Sequence, residues 1–320
     1  ESTCFARDLI NEPACNMTPS KLAQVAASLT SERVSCRIIE EDEAARLGMG
    51  SFLGVSRGSH QPPKFIELQY LGENPRFFAG IAGKGITFDS GGLSLKTAQG
   101  METMKYDMAG AAATLALIKS LSELEVPVRV LAVIAACENM PGGAATRPGD
   151  VHTAMNGKTI EINNTDAEGR LTLADALCWI CKEKPDVVID IATLTGAVVS
   201  ALGKVAAGIM GNNDELISDL TAAGKRGGEK FWQLPLFDEY KESLKSDIAD
   251  LKNAGSRGEA GSSSAGMFLR EFVDNVPWAH LDIAGTAWTE KEKEEFSKGG
   301  TAFGVRTLCY YLIAKANQPQ

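Results

Sequence analysis

The chain has 320 residues, 44% hydrophobic and 23% charged, the composition of an ordinary globular protein long enough to bury a large core. Its formal net charge of −9 argues against nonspecific nucleic-acid binding, which needs a basic footprint. It has no apolar run long enough to span a bilayer, so no membrane partner is expected.

The chain opens ESTCFARDL, with neither a signal-peptide pattern nor an initiator Met, and is expected to be a fragment or a processed form. TPSKLAQVAASL (18–29) carries a helix start, with Thr18 as N-cap and Pro19 at the first helical position. Residues 34–40 read as a strand. So do 64–71 and 76–83, separated by a hairpin-like break at LGENP. Residues 108–124 predict an apolar helix. VPVRVLAVIAAC (126–137), nearly continuous in apolar residues, suits a strand buried on both faces. A helix over 171–183, a buried strand over 186–194, a glycine-serine loop running into a helix over 261–275 and a strand over 278–285 follow. KEKEEFSKGG (291–300) reads as a solvated charge run. Strands alternating with helices predict an α/β fold, with a mixed, largely parallel central sheet and helices on both faces. Ligands in such sheets bind beyond the carboxyl ends of the strands.

The seven cysteines (Cys4, Cys15, Cys36, Cys137, Cys178, Cys181 and Cys309) are odd in number and scattered, which reads as reduced thiols in the cytoplasm. Cys178 and Cys181 form a CxxC, but within a helical pattern and without a second CxxC. Buried structural thiols are favoured over a redox or zinc pair. His60, His152 and His280 form no HExxH, which disfavours a histidine-built zinc site and leaves them core or surface roles.

Acids near glycines recur three times. KGITFDSGG supplies Lys84 and Asp89, KYDMAG supplies Asp107 just before a helix, and NTDAEGRL supplies Asp166 and Glu168. In an extended NTDAEGRL segment, Asp166, Glu168 and Arg170 would share one face. Carboxylates converging without partners cost several kcal/mol each, and divalent ions cancel their repulsion. Read singly, Asp107 is a helix N-cap, Lys84 a salt-bridge partner of Asp89 and Lys96 a surface lysine.

Taken together, these fragments resemble the leucyl aminopeptidase family of dinuclear metallopeptidases. NTDAEGRL stands as that family's signature octapeptide without a change. KGITFDSGG with Lys96 and KYDMAG, CENMPGG, RPGD, NGKTIE and ATLTGA also match. RDLINEPACNMTPSKLA looks like the connector before the catalytic domain. The resemblance covers essentially the whole chain and implies a zinc-exopeptidase-like fold. It implies a connector segment and helix over 1–30 and a single dinuclear metal catalytic domain over 31–320, without the family's usual N-terminal domain.

The resemblance also implies roles. Lys84, Asp89, Asp107, Asp166 and Glu168 would ligate two divalent ions, Zn²⁺ and/or Mn²⁺. Asp89 and Glu168 would bridge both ions, Lys84 and Asp107 would hold the looser one, and Asp166 would serve chiefly the tighter. A lysine can ligate only as the neutral amine, a form favoured by burial and an adjacent dication. Lys96 and Arg170 would be the catalytic residues outside the ligand set. Lys96 would stabilise charge growing on the scissile carbonyl oxygen, and Arg170 would hold bicarbonate as general base. The nucleophile would be a metal-bridging water or hydroxide. Met104, Thr193, Leu194, Gly196, Ala284 and Ala287 would contact the substrate; relatives more often carry a bulkier apolar residue where Ala287 stands.

The activity implied is release of N-terminal residues, broad but leucine-preferring, from peptides with a free N-terminus, by a homo-oligomer expected to be a hexamer. N-acylated peptides would be rejected because a free α-amine would bind one ion. Two other classes compete. A metallohydrolase acting on phosphate esters would share the acidic cluster but need more basic residues. A non-catalytic binding or regulatory protein would have no need of Lys96 and Arg170.

Overall fold

The computed structural model describes residues 1–292 and 297–317. The chain begins with helices α1 (Ser2–Asn11) and α2 (Pro19–Ser28), strand β1 (Val34–Ile39), and short helices α3 (Glu41–Arg46) and α4 (Gly50–Ser56). Strands β2 (Lys64–Leu71) and β3 (Phe78–Asp89) follow. After them come α5 (Ala98–Met101), a 3₁₀ turn (Met104–Met108), α6 (Ala109–Glu123) and β4 (Arg129–Asn139). Next are β5 (Val151–Thr153), β6 (Thr159–Glu161), α7 (Gly169–Cys181), β7 (Val187–Ala192), α8 (Gly196–Leu202), β8 (Ala207–Gly211), α9 (Asp214–Gly227) and β9 (Phe231–Gln233). The chain ends with β10 (Leu251–Lys252), α10 (Gly261–Arg270), β11 (Trp278–Asp282), β12 (Trp288–Thr289), β13 (Gly299–Gly300) and α11 (Val305–Ala316).

The main sheet runs β1-β2-β4-β3-β7-β11-β8-β9. Its centre, β4-β3-β7-β11, is parallel. β1/β2, β2/β4 and β8/β11 are antiparallel. The mixed, largely parallel sheet expected from the sequence is therefore present. One face packs on α6, whose Ala112, Leu115 and Ile118 share a core cluster with Ala6, Ile10 and Leu22 of the first two helices. The other face packs on α7 and α10 through Leu173, Leu177, Met267 and Phe268. Gly110 lets α6 approach the sheet closely: an added Cβ would lie 2.1 Å from the Ile191 carbonyl oxygen. That approach brings the turn before α6 down onto β3.

Three expectations need correction. β2 and β3 form no hairpin, because the twice-buried β4 lies between them and pairs with both. The strand expected over 76–83 does not end there but runs on through KGITFD to Asp89 as the last part of β3. Residues 164–171 are not extended: Glu168 takes helical dihedrals (φ −81°, ψ −34°), and α7 starts at Gly169. Thr18 does cap α2, accepting from the Lys21 amide. Of the 291–300 charge run, residues 293–296 lie outside the described residues.

Candidate metal centre

Because β4, β3, β7 and β11 are parallel, their carboxyl ends share one edge of the sheet, and Asp89, Asn139, Thr193 and Asp282 stand there. Lys84 and Asp89 are five apart on β3 and would face opposite ways in a regular strand. The β3–β4 register shifts between Ile86 and Phe88. One extra residue restores their common face. Asp107 comes from the 3₁₀ turn before α6, and Glu168 from the N-cap of α7.

These elements converge. Asp89, Asp107 and Glu168 are buried, and each offers a carboxylate oxygen within 4.8 Å of the others. Lys84 Nζ lies 2.8 Å from Asp107 Oδ2 and 2.8 Å from Glu168 Oε1, and donates to the Thr193 carbonyl at 2.9 Å. Its ion pairs are thus with Asp107 and Glu168. Lys96 Nζ lies 2.8 Å from Asp89 Oδ2 and 2.6 Å from Asp166 Oδ1. Asp166 is the most open acid, its side chain 33% exposed.

Four carboxylates face two ammonium groups, a deficit of positive charge in a buried place. Burial pushes the carboxyls of Asp89 and Asp166 up and that of Asp107 well above its ordinary range, and neighbouring carboxylates add to each shift. Burial acts to lower Lys84, but Asp107, Glu168 and Asp89 outweigh it and hold the amine above the usual lysine range. Lys96 is raised in the same way by Asp89, Glu168 and Asp166. An oxygen-rich, buried cluster short of positive charge fits divalent cations.

Arg170 stands in the first turn of α7, 7% exposed. Its Nη1 donates to the Asn253 carbonyl at 2.7 Å, while its buried Nε has no hydrogen-bond partner among the described residues. Burial lowers the group to about 10, which leaves it charged at neutral pH. An unpaired guanidinium N–H in a buried place fits an oxyanion.

Thr193 belongs to the ligand cluster as well as to the expected pocket, since its Oγ1 donates to Asp107 Oδ1 at 2.6 Å. Leu194 follows β7 on the loop into α8, Gly196 is the first residue of α8, Ala284 follows β11, and Met104 opens the turn that carries Asp107. Ala287 is fully buried within the core. It has no surface to offer a ligand directly, and can shape the pocket only from behind.

Reasoning from the sequence missed Asp282, Asn139 and Thr165. Asp282 is fully buried and accepts from the Leu194, Thr195 and Ala284 amides at 3.2, 3.4 and 3.3 Å, and from Thr195 Oγ1 at 2.6 Å. It therefore ties the loop after β7 to the end of β11. A lone Asp in the apolar strand WAHLDIAG was the available signal. His280 is fully buried against Asp190, His152 is buried and His60 is exposed. None of the three joins the acidic cluster.

A family model described as the cytosol aminopeptidase family, catalytic domain, matches residues 4–309. A probable cytosol aminopeptidase of Gloeobacter violaceus is 52% identical over 318 residues, which are 98% of this chain and 63% of the relative. One of Alkaliphilus oremlandii is 50% identical over 315 residues, with 98% and 63% covered. The chain thus spans under two thirds of the length of these curated relatives. Among solved structures, the bottromycin maturation enzyme BotP in complex with Mn superposes with a TM-score of 0.94 at 42% identity, covering 99% of this chain and 70% of that one.

Proposed function

Because the chain belongs to the cytosol aminopeptidase family, we propose that it is the catalytic portion of a metal-dependent aminopeptidase. The observation that carries this reading is the convergence of buried Asp89, Asp107 and Glu168 at one edge of the sheet. Asp89, Asp107, Asp166 and Glu168, together with Lys84 once a cation's charge had displaced its proton, would hold two divalent ions, Zn²⁺ or Mn²⁺. Manganese is favoured as a first trial by the Mn complex of BotP. When bound, such ions acidify water and polarise a carbonyl, which gives peptide hydrolysis at neutral pH.

The chain's own residues supply the rest. Asp89, Asp107, Asp166 and Glu168 hold their carboxylates toward the centre. Thr193 fixes Asp107 through its hydroxyl and Lys84 through its carbonyl. Lys96, which stands at the edge of the centre beside Asp89 and Asp166, would stabilise with its ammonium the negative charge growing on the scissile carbonyl oxygen. Arg170 keeps its charge and offers Nε–H to bicarbonate, the proton acceptor that the family resemblance implies. Met104, Thr193, Leu194, Gly196 and Ala284 line the place of the N-terminal side chain, with Ala287 behind them. A pocket of that lining would suit apolar residues such as leucine.

Within this reading, residues 31–320 act as one catalytic domain with 1–30 as its connector. The protein works as a cytoplasmic homo-oligomer, a hexamer by family resemblance. The relatives described as probable cytosol aminopeptidases support that compartment. Among the described residues no helix is long and apolar enough to cross a membrane. A phosphate-ester hydrolase is disfavoured because one amine, Lys96, and one guanidinium, Arg170, are few cations to receive a phosphate, and the matching family is one of aminopeptidases. Calorimetric titration of the chelator-stripped protein with Mn²⁺ tests the reading. Two ions per chain are expected, and no binding at millimolar Mn²⁺ would overturn it.

A further inference from the structure

Two side chains outside the ligand set join the loops that carry it. Asn139, the last residue of β4, pairs in register with Asp89, the last residue of β3, and is 4% exposed. Its Nδ2 donates to Asp89 Oδ1 at 2.8 Å and to the Thr165 carbonyl at 3.0 Å. Asp89 Oδ1 also accepts from the Gly91 amide at 2.8 Å. Two donors on one oxygen fix the plane of the carboxylate and leave Oδ2 facing the cluster, where Lys96 meets it. Asn139 also holds the next residue, since its carbonyl accepts from both the amide and the hydroxyl of Ser90.

Thr165 completes the connection from the other loop. It is 5% exposed. Its Oγ1 donates to the Gly91 carbonyl at 2.6 Å and accepts from the Ser94 amide at 2.7 Å, and its own amide donates to Ser94 Oγ at 3.1 Å. The Lys96 amide then closes the segment on the Ser90 carbonyl at 2.9 Å. Residues 90–96 are thus clamped between the end of β4 and the stretch that carries Asp166 and Glu168.

We propose that Asn139 and Thr165 are positioning residues: Asn139 sets the orientation of Asp89 for metal binding, and Thr165 sets the path of the segment that delivers Lys96. The inference rests on the metal-centre reading above and divides the two tasks between two side chains. Asn139 acts on a ligand, so its loss is read in metal affinity. Thr165 acts on a residue outside the ligand set, so its loss is read in turnover.

The test compares Asn139→Ala, Asn139→Asp, Thr165→Val and Thr165→Ser with the unaltered chain. Mn²⁺ affinity is measured by calorimetry, kcat and KM on leucyl-p-nitroanilide at saturating Mn²⁺, and Tm as a record of folding. Asn139→Ala should bind Mn²⁺ about 10- to 100-fold more weakly. Asn139→Asp keeps the shape but loses both N–H donors; it should fall at least as far, and it reads the effect should the alanine variant not fold. Thr165→Val should keep Mn²⁺ affinity within about 3-fold and lose about 10-fold or more in kcat with little change in KM. Thr165→Ser, which keeps the hydroxyl, should recover it. Asn139 variants that bind Mn²⁺ like the unaltered chain would overturn the first assignment. Thr165→Val with unaltered kcat, or a kcat loss that serine does not restore, would overturn the second. Failure of the unaltered chain itself to bind Mn²⁺ would instead remove the metal-centre reading and this inference with it.

Discussion

Gly169 lies so close over Lys84 that a Cβ at position 169 would stand 2.4 Å from Lys84 Cε and 2.7 Å from Nζ. The first residue of α7 is therefore bare because the lysine passes beneath it to reach Asp107 and Glu168. The neighbour is the far end of a flexible side chain, so the fold can accommodate a methyl group and the lysine cannot keep its place. Gly169→Ala should fold, helped by up to about 1 kcal/mol of helix propensity. It should lose at least about 10-fold in Mn²⁺ affinity. Calorimetry together with a melting curve checks this. Unchanged affinity would mean that Lys84 is not held where the ions bind.

Lys96 is engaged by Asp89 and Asp166 but is not in the proposed ligand set. Lys96→Met should leave Mn²⁺ stoichiometry at two and lower kcat by about 10²–10³-fold, the range for removing one donor to a developing oxyanion. Steady-state rates at saturating Mn²⁺ read the effect. A variant with normal turnover would return Lys96 to a purely structural ion pair.

Asp175, fully buried on α7, accepts from the amides of Phe52 at 2.8 Å and Met155 at 2.7 Å, and so pins α4 and the loop after β5 to the helix. Burial pushes its carboxyl up to about 7, against the lowering effect of these amides. In the unfolded chain an aspartate titrates near about 4. The folded form thus keeps its proton longer. Its contribution to stability is complete below about pH 4 and is lost as pH rises through about 7. The unfolding free energy of the unaltered protein minus that of Asp175→Asn should fall between those limits, by something on the order of 4 kcal/mol. Urea unfolding of chelator-stripped protein across pH 4.5–8 measures it. A flat difference would mean that the amides keep the carboxylate ionised throughout.

The thiols sort by burial. Cys4 and Cys15 are exposed, whereas Cys137, Cys178 and Cys181 are buried. Burial holds Cys178 up at about 12 and Cys181 at about 11, so neither offers a thiolate near neutral pH. Mass-spectrometric labelling with iodoacetamide should modify Cys4 and Cys15 first, and the CxxC pair only after unfolding. Rapid native labelling of Cys178 or Cys181 would reopen a redox role.

The acids of the centre were legible because each sits in a short glycine-rich motif whose composition suits neither a core strand nor a solvated helix. The strands β4 and β7 were legible from their unbroken apolar runs. What escaped depends on contacts distant in sequence. Glu229 caps α11 by accepting from the Gly304 and Thr307 amides, each at 2.9 Å, and nothing near Glu229 in the chain announces that role. α11 itself was not anticipated. The extension of β3 through Lys84 and Asp89 was missed because polar residues in a central strand look like a loop until the ion-pair partners across the edge are known. Asp282 was passed over for the same reason: its partners Leu194 and Thr195 lie some 87 positions away.

The most direct test is an initial-rate comparison of leucyl-p-nitroanilide with its N-acetyl derivative, using protein stripped by chelator and refilled with Mn²⁺ or Zn²⁺ in bicarbonate buffer. The account predicts metal-dependent cleavage of the free-amine substrate alone, because the α-amine is the group that engages the metal centre. Equal cleavage of both substrates would contradict the exopeptidase assignment, and cleavage of neither by protein with two ions bound would contradict the proposed activity itself.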